Sequence, residues 1–316
     1  MNAEPHTIPF GSAARELGVV IGFDGSENAT WALRHAARTA LRRGSVLTVA
    51  AAYRVPIPMY APYAAVPAEP DDGVRQREAE AVLDQAAELL KGHPGEVSYL
   101  TTVGDSVGAL VDLSAKAQLI VVGARGRGGF LGLLLGSVAS SLPAHAHCPT
   151  VVVPAGDRQG DAADREPVVV GMDESSHSRV AALQAARVAQ ELDTSLLALM
   201  ALPSLDARLL WYPELSCEVT GLTEQRQAEL QEALETDIAW LKGHFPAVEM
   251  SSEVRIGDAV SVLSEATGSA QMTVVGSRGR GAVASVVLGS TSRTILHKAI
   301  GAVMVVPFVE DDRLPD

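Results

Sequence analysis

Cysteine is scarce: Cys148 and Cys217 are the only two in the chain, one per half and in different local contexts. That excludes a disulfide framework and suits a reducing compartment. Positive charge is also short. Twenty-five Lys and Arg against 38 Asp and Glu leave a net charge of −13. This argues against a general electrostatic grip on nucleic acid or anionic lipid and still allows a local phosphate-binding patch. Long apolar runs are missing despite a mean hydropathy of +0.16. Leu17–Phe23, Leu119–Val122 and Val151–Val153 fall far below the roughly 20 residues of a spanning helix. The first 18 residues carry Glu4 and Pro5 and no basic stretch leading into an apolar one, so no secretory signal is expected. The expected location is the cytoplasm.

Hydrophobic residues make up 47% and charged residues 20% of the 316 positions, which excludes disorder and leaves room for about two domains. The chain is in fact written twice. Val20-Ile21-Gly22-Phe23-Asp24 returns as Val169-Val170-Gly171-Met172-Asp173, an offset of 149. Val121-Val122-Gly123-Ala124-Arg125-Gly126-Arg127-Gly128 returns as Val274-Val275-Gly276-Ser277-Arg278-Gly279-Arg280-Gly281, an offset of 153. The second copy therefore gained four residues between its first strand and its Gly-rich loop. Repeats of this length are whole domains. The expected organisation is a first domain over 1–154, a Gly/Asp/Arg-rich linker over 155–166, a second domain over 167–309 and a tail over 310–316.

Each copy alternates short apolar runs with helical patterns. In the first, strands are expected at Val19–Phe23, Val46–Ala52, Val97–Val103, Leu119–Val122 and Thr150–Val153. Helices are expected at Ala29–Leu41, Arg75–Leu90, Val107–Ala115 and Ser137–His147. The second repeats the order, with helices at Arg179–Glu191, Thr223–Lys242, Val260–Ala266 and Ser290–Lys298. Continuous apolar strands with right-handed crossovers imply two tandem α/β domains, each a doubly wound, five-stranded parallel sheet.

The signal that carries chemistry is Gly123-x2-Gly126-x9-Gly136-Ser137, repeated as Gly276-x2-Gly279-x9-Gly289-Ser290. Glycines directly after a buried strand permit positive φ and let backbone N–H groups converge on an anion. Ser137 and Ser290 can cap the following helix, whose free N–H groups and dipole favour phosphate. A lone Gly-x-x-Gly usually just turns the chain, but here the full spacing occurs twice, each time after a strand and before a helix. No Gly-Lys-[Ser/Thr] follows, so it is no Walker loop, and its place after the fourth strand excludes the dinucleotide fingerprint.

These motifs, with the duplication and the strand-ending Asp24 and Asp173, resemble the universal stress protein family in its ATP-binding, tandem form. The resemblance spans roughly 18–154 and 167–307. It implies the adenine nucleotide α-hydrolase-like fold with strand order 3-2-1-4-5, which sets strands one and four side by side at the crevice where open α/β sheets bind ligands. It implies an ATP site in each domain, with Mg²⁺. Gly22 and Asp24, and Gly171 and Asp173, would hold adenosine. Gly123, Ala124, Arg125, Gly126, Arg127, Gly128 and Gly129 would cradle phosphates, closed by Gly136, Ser137 and Val138. In the second domain Gly276, Ser277, Arg278, Gly279, Arg280, Gly281 and Ala282 do the same, closed by Gly289, Ser290 and Thr291. Val107 and Val260 pack either on adenine or in the core. The arginines either grip phosphate or are solvated loop charges. The family's last strands mediate dimerisation, so Thr150–Val153 and Val303–Val306 would pair within one chain, and a homodimer stays open.

Other features read as structural. Pro143 falls inside the first copy's last helix, where the second has Leu296, and is expected to shorten or kink it. His145, His147 and Cys148 have no partner pair for a metal site, and no metal is expected. Trp31, Trp211 and Trp240 have no counterparts between copies and read as packing. The loop Val55–Pro67, with Tyr60 and Tyr63, is either a lid or partner surface or simply variable.

No recognisable general base or acceptor pocket accompanies the cradles, so efficient phosphoryl transfer is not expected and slow ATP hydrolysis is the most the motifs support. The leading expectation is a nucleotide-responsive regulator read by an unidentified protein partner in stress or growth-arrest physiology. The alternatives are a scaffold stabilised by bound nucleotide and a slow ATPase.

Overall fold

The structure is a computed structural model and describes residues 9, 10, 12, 14–54, 72–127, 135–156, 166–204, 213–279 and 288–315. The loop expected at 55–67, Trp211, Gly128, Gly129, Arg280, Gly281, Ala282 and residues 157–165 of the expected linker lie outside the described residues. Two compact units divide at Ala155 and Gly156.

The first unit runs β1 (Val19–Gly22), α1 (Glu27–Arg43), β2 (Leu47–Tyr53), α2 (Asp72–Leu89), β3 (Val97–Val103), α3 (Ser106–Ser114), β4 (Leu119–Gly123), α4 (Ser137–His145) and β5 (Thr150–Val153). The second runs β6 (Val168–Met172), α5 (Ser176–Leu192), β7 (Leu196–Leu202), α6 (Pro213–His244), β8 (Met250–Ile256), α7 (Ala259–Ala266), β9 (Met272–Gly276), α8 (Ser290–Lys298) and β10 (Val303–Val306). The first sheet is parallel with order β3-β2-β1-β4-β5. The second is parallel with order β8-β7-β6-β9-β10. Both are the 3-2-1-4-5 arrangement.

Strands β1 and β6 are apolar throughout because helices cover both faces of each sheet; Val19, Val20 and Ile21 are all fully buried. Helix α1 turns a stripe of Ala29, Ala32, Leu33, Ala36, Ala37 and Ala40 inward. Alanine at helical spacing lets the helix axis sit close above β1 and β4. Its start is fixed by Ser26, whose Oγ accepts from the Ala29 N–H at 3.1 Å, and its end by left-handed Gly44. Helix α5 uses Ser175 and left-handed Asp193 in the same roles.

Three expectations are corrected. Pro143 does not shorten its helix: α4 and α8 each have nine residues and end on the same bond, from Ala146 N–H to Leu142 C=O and from Ala299 N–H to Ile295 C=O. The lost proline donor falls near the helix end, where the chain turns away. Helix α6 begins at Pro213 rather than at Thr223, because proline suits the first helical position, where its missing N–H is no loss. The caps of α4 and α8 are Gly136 and Gly289, without a side-chain bond, and not the serines.

The four extra residues of the second copy can be located. Ala51 and Met200 keep the offset of 149, Arg75 and Arg226 stand 151 apart, and Thr101 and Val254 stand 153 apart. Two residues enter between β7 and Arg226 and two between Arg226 and β8, all taken up by the longer helix, 32 residues in α6 against 18 in α2.

Before β1, Arg15 is buried and serves as a plug. Its Nη1 donates to Ser114 C=O at 3.1 Å and Ala117 C=O at 2.8 Å, and its Nη2 to His147 C=O at 3.1 Å. Phe10 lies under the guanidinium, 5.3 Å from its ring centre. Burial lowers the Arg15 pKa and pushes the fully buried Cys148 thiol up to about 12. No described helix is long and apolar enough to cross a membrane.

Candidate functional site

Strands β1 and β4 lie side by side, Gly22 in register with Val122, and the winding of the sheet reverses between them. A cavity of about 780 Å³ opens there, lined by Gly22, Asp24, Gly123, Arg125, Gly126, Arg127, Gly136, Ser137 and Val138 among others. The second unit carries a cavity of about 700 Å³ at the matching place, lined by Gly171, Asp173, Gly276, Arg278, Gly279, Gly289, Ser290 and Thr291. Both volumes suit a small ligand. Val107 and Val260 are not in the lining; Leu110 and Leu263, one helical turn on, take that place.

The glycines serve close approach rather than positive φ, which none of these eight has. A Cβ on Gly126 would stand 2.5 Å from Asp24 Oδ2, and one on Gly279 would collide with Asp173 Oδ2. A Cβ on Gly123 would lie 2.7 Å from the Asn28 carbonyl carbon in the first turn of α1. A Cβ on Gly22 would meet Leu110 Cδ1 at 2.8 Å, and one on Gly171 would meet Leu263 Cδ1 at 2.9 Å. The left-handed position is one residue past each aspartate: Gly25 at φ 74° and Glu174 at φ 64°.

Asp24 joins the two halves of the site. Its Oδ1 accepts from Ser26 N–H at 3.0 Å and its Oδ2 from Arg127 N–H at 2.9 Å, so the carboxylate ties the loop after β4 to the turn after β1. Asp173 accepts from Ser175 through both N–H, at 3.2 Å, and Oγ, at 2.5 Å. The Arg127 guanidinium folds back beside Gly25 and Gln85.

Each loop is pinched at its neck. Ala124 N–H donates to Val153 C=O at 2.8 Å, and Gly136 N–H returns to Ala124 C=O at 2.7 Å. Ser277 and Gly289 repeat both bonds at 2.8 Å. The neck delivers the chain directly into α4 or α8. Because Gly136 and Gly289 offer no capping side chain, the first N–H groups of these helices stay open toward the cavity. Ser140 Oγ and Ser292 Oγ turn away, donating to Gly136 C=O at 2.8 Å and Gly276 C=O at 2.7 Å. A helix N-terminus left open in this way presents donors and a partial positive charge, the chemistry of a phosphate seat.

Away from the loops the walls are apolar. Ala50, Ala51 and Ala52 line the first cavity, where Leu199, Met200 and Ala201 line the second. At the rims stand cations that sequence reasoning missed: Arg54, 3.9 Å from Asp105, and the equivalents Arg75 and Arg226, paired with Glu78 at 2.8 Å and Glu229 at 3.0 Å. The repeated Arg-Gln-x-Glu could have found the last two. Asp105 and Asp258 cap α3 and α7.

His177, in α5, takes the place of Asn28 in α1. Its ring stacks on Phe308 with centroids 4.7 Å apart. Burial lowers its pKa, the Arg278 charge lowers it further, and Asp173 partly opposes both. Among the predicted structural residues, His145 Nδ1 lies 2.9 Å from Ser141 C=O. Trp240 does more than pack: its Nε1 donates to Arg313 C=O at 2.8 Å. Among the described residues no group of three or more His, Cys, Asp and Glu could hold a metal ion.

Comparison with known proteins agrees on the family. The model of the universal stress protein family matches twice, over residues 18–154 and 165–307. Universal stress protein Rv2623 of Mycobacterium tuberculosis is 33% identical over 302 residues, covering 93% of this chain and 97% of that protein. Universal stress protein Rv2005c of the same organism is 31% identical over 300 residues, covering 92% and 97%. A solved universal stress protein from Archaeoglobus fulgidus covers 93% of this chain and 99% of its own, with TM-score 0.66 at 19% identity.

Proposed function

This chain belongs to the universal stress protein family, and from that premise we propose that it is a nucleotide-responsive regulator binding one ATP in each unit. The observation that carries the reading is the pair of pinched glycine loops, each opening an uncapped helix N-terminus onto a cavity with an apolar wall.

The residues present fit the ligand. Side chains at Gly126 or Gly279 would push against the aspartates and fill the cradle, and the open N–H groups at Ser137, Val138, Ser290 and Thr291 need an acceptor. Phosphates would be held by backbone from Gly123 to Arg127 and from Gly276 to Gly279. Arg125 and Arg278 would supply charge, and Mg²⁺ would neutralise the phosphates. The apolar walls would take the adenine. Asp24 keeps its loop seated, and both Asp24 and Asp173 would present carboxylate edges to the ribose side. What ATP supplies when bound is a polyanion that ties strand, loop and helix together. A partner protein in the cytoplasm then reads the tightened state. Such a shift requires only that ATP bind one state better than the other.

Calorimetric titration of nucleotide-stripped protein with Mg-ATP tests this, alongside Gly126→Glu and Gly279→Glu variants whose folding is checked by circular dichroism. The expected result is two sites per chain, one lost with each glycine. Absence of binding by folded, stripped protein overturns the reading.

A further inference from the structure

In the second unit the outer edge of the sheet is closed by its own helix. Val254, on β8, points its backbone outward. Its N–H donates to Gln231 Oε1 at 3.2 Å and its C=O accepts from Gln227 Nε2 at 3.1 Å, both from α6. The same strand carries the ion pair Glu253–Arg255, at 2.7 Å. An edge with occupied backbone groups and charges resists pairing with another strand.

The first unit has the same strand in the same register, Thr101 facing Ala51 as Val254 faces Met200. Among the described residues its edge is left open. The counterparts of the two glutamines, Gln76 and Glu80, bond to each other at 2.8 Å instead. Leu47 N–H donates to Glu96 C=O, and Gly104 N–H donates to Tyr53 C=O, so even-numbered residues of β3 point their backbone at β2. The odd-numbered ones, Tyr99, Thr101 and Val103, point outward. Among the described residues nothing bonds to those outward groups. The seven residues Val97–Val103 contain no charge and no proline, and Tyr99 is 41% and Val103 61% exposed.

We propose that the open edge of β3 docks on the β3 edge of a second copy of the chain, antiparallel and two-fold symmetric about Leu100. The symmetry follows from the pattern. Pairing Tyr99 with Thr101 and Val97 with Val103 satisfies every outward N–H and C=O in both copies, with Leu100 facing Leu100 at a non-hydrogen-bonded site. Glu96 then falls opposite Gly104, so no two carboxylates stand directly opposed. Valine faces valine and tyrosine faces threonine, pairings that favour a sheet. Each copy carries a net charge of −13, so an interface through an uncharged edge is strengthened by salt, the opposite of a charge-driven contact. Seven residues a side is small against the roughly 20–30 of a standard interface, so association is weak, about micromolar.

Sedimentation velocity of the full chain over about 1 to 100 µM spans that range. The expected result is a monomer–dimer equilibrium that tightens with added NaCl. Thr101→Pro removes an outward N–H and Thr101→Lys sets a charge beside the edge; each should weaken the dimer on the order of tenfold or more while leaving circular dichroism unchanged. Leu100→Cys, with Cys217 replaced by serine, should form an intermolecular disulfide on mild oxidation, because facing residues at such a site lie about 4.5 Å apart at Cα. A monomer at all concentrations, or a dimer indifferent to both Thr101 variants, overturns the proposal. So does an edge that pairs only with extended peptides of another protein.

Discussion

One residue past each site aspartate the chain takes a left-handed turn, and the two units reach it differently: Gly25 at φ 74° and Glu174 at φ 64°. Glycine enters that region without strain, whereas a side chain costs about 1–2 kcal/mol. The walls diverge as well, alanines at 50 and 51 against Leu199 and Met200. The neck does not diverge: both loops make the same two backbone bonds, within 0.1 Å of each other. Backbone-to-backbone closure tolerates changes of side chain. The cavity walls have no such tolerance, so each unit has its own volume, about 780 against about 700 Å³.

The contrast can be broken most sharply at the wall. Leu199→Ala gives the second unit the first unit's residue. With Leu199 only 1% exposed, it should cost about 3 kcal/mol, read as an earlier unfolding transition in urea. Gly123→Ala drives a Cβ into the backbone of α1 and should cost about 2 kcal/mol. Gly276→Ala should cost less, because its nearest atom is Arg278 C=O, at 2.9 Å in the loop itself. Equal losses would show that α1 yields as easily as the loop. Glu174→Gly should stabilise the second unit by about 1 kcal/mol by removing the strained φ; Gly25→Glu should destabilise the first by more, since it also displaces Arg127. A change in urea midpoint at constant slope is the measurement.

The smallest effect is in pH. His177 has a folded pKa below its unfolded value of about 6.5. The unfolded chain therefore takes up the proton more readily. The stability tied to neutral His177 is complete above about pH 6.5 and is lost as pH falls through the lowered folded value. The second unit should thus unfold more easily in mild acid, a dependence that His177→Phe removes and that Asn28 gives the first unit no reason to share. A second unit with the same acid response after that change would rule out His177 as the source.

Duplication made most of the fold legible, because a pattern that means little once means a domain when it recurs at a fixed offset. Buried parallel strands are short apolar runs, and Thr150–Val153, Val168–Met172 and Val303–Val306 stand where those runs lie. Helix starts were less legible. The real caps, Ser26, Ser175, Asp105 and Asp258, each precede a helix by one residue, and short polar residues of that kind are common in loops. Gly136 and Gly289 were visible as glycines but not as caps, since the absence of a side-chain bond is a fact of geometry. Of the two reasons the sequence offers for the cradle glycines, positive φ is not used and close approach is. The Cβ positions of Gly126 and Gly279 point at Asp24 and Asp173, about a hundred residues away in sequence, and strand order brings those together. The walls could not be read at all, because Ala50 and Leu199 are both ordinary strand residues.

Arg15 lies upstream of residue 18, where the family match begins. Three of its bonds reach carbonyls of the α3–β4 and α4–β5 connections, and it stands close enough to Cys148 to act on the thiol electrostatically. A chain trimmed to the family boundary would keep every strand and lose the stopper that closes this end of the first unit. Cys148, next to one of the residues that Arg15 bonds, is fully buried. In a Cys217→Ser background, its rate of reaction with a thiol reagent becomes a clock, counting how often the segment before β1 lets go.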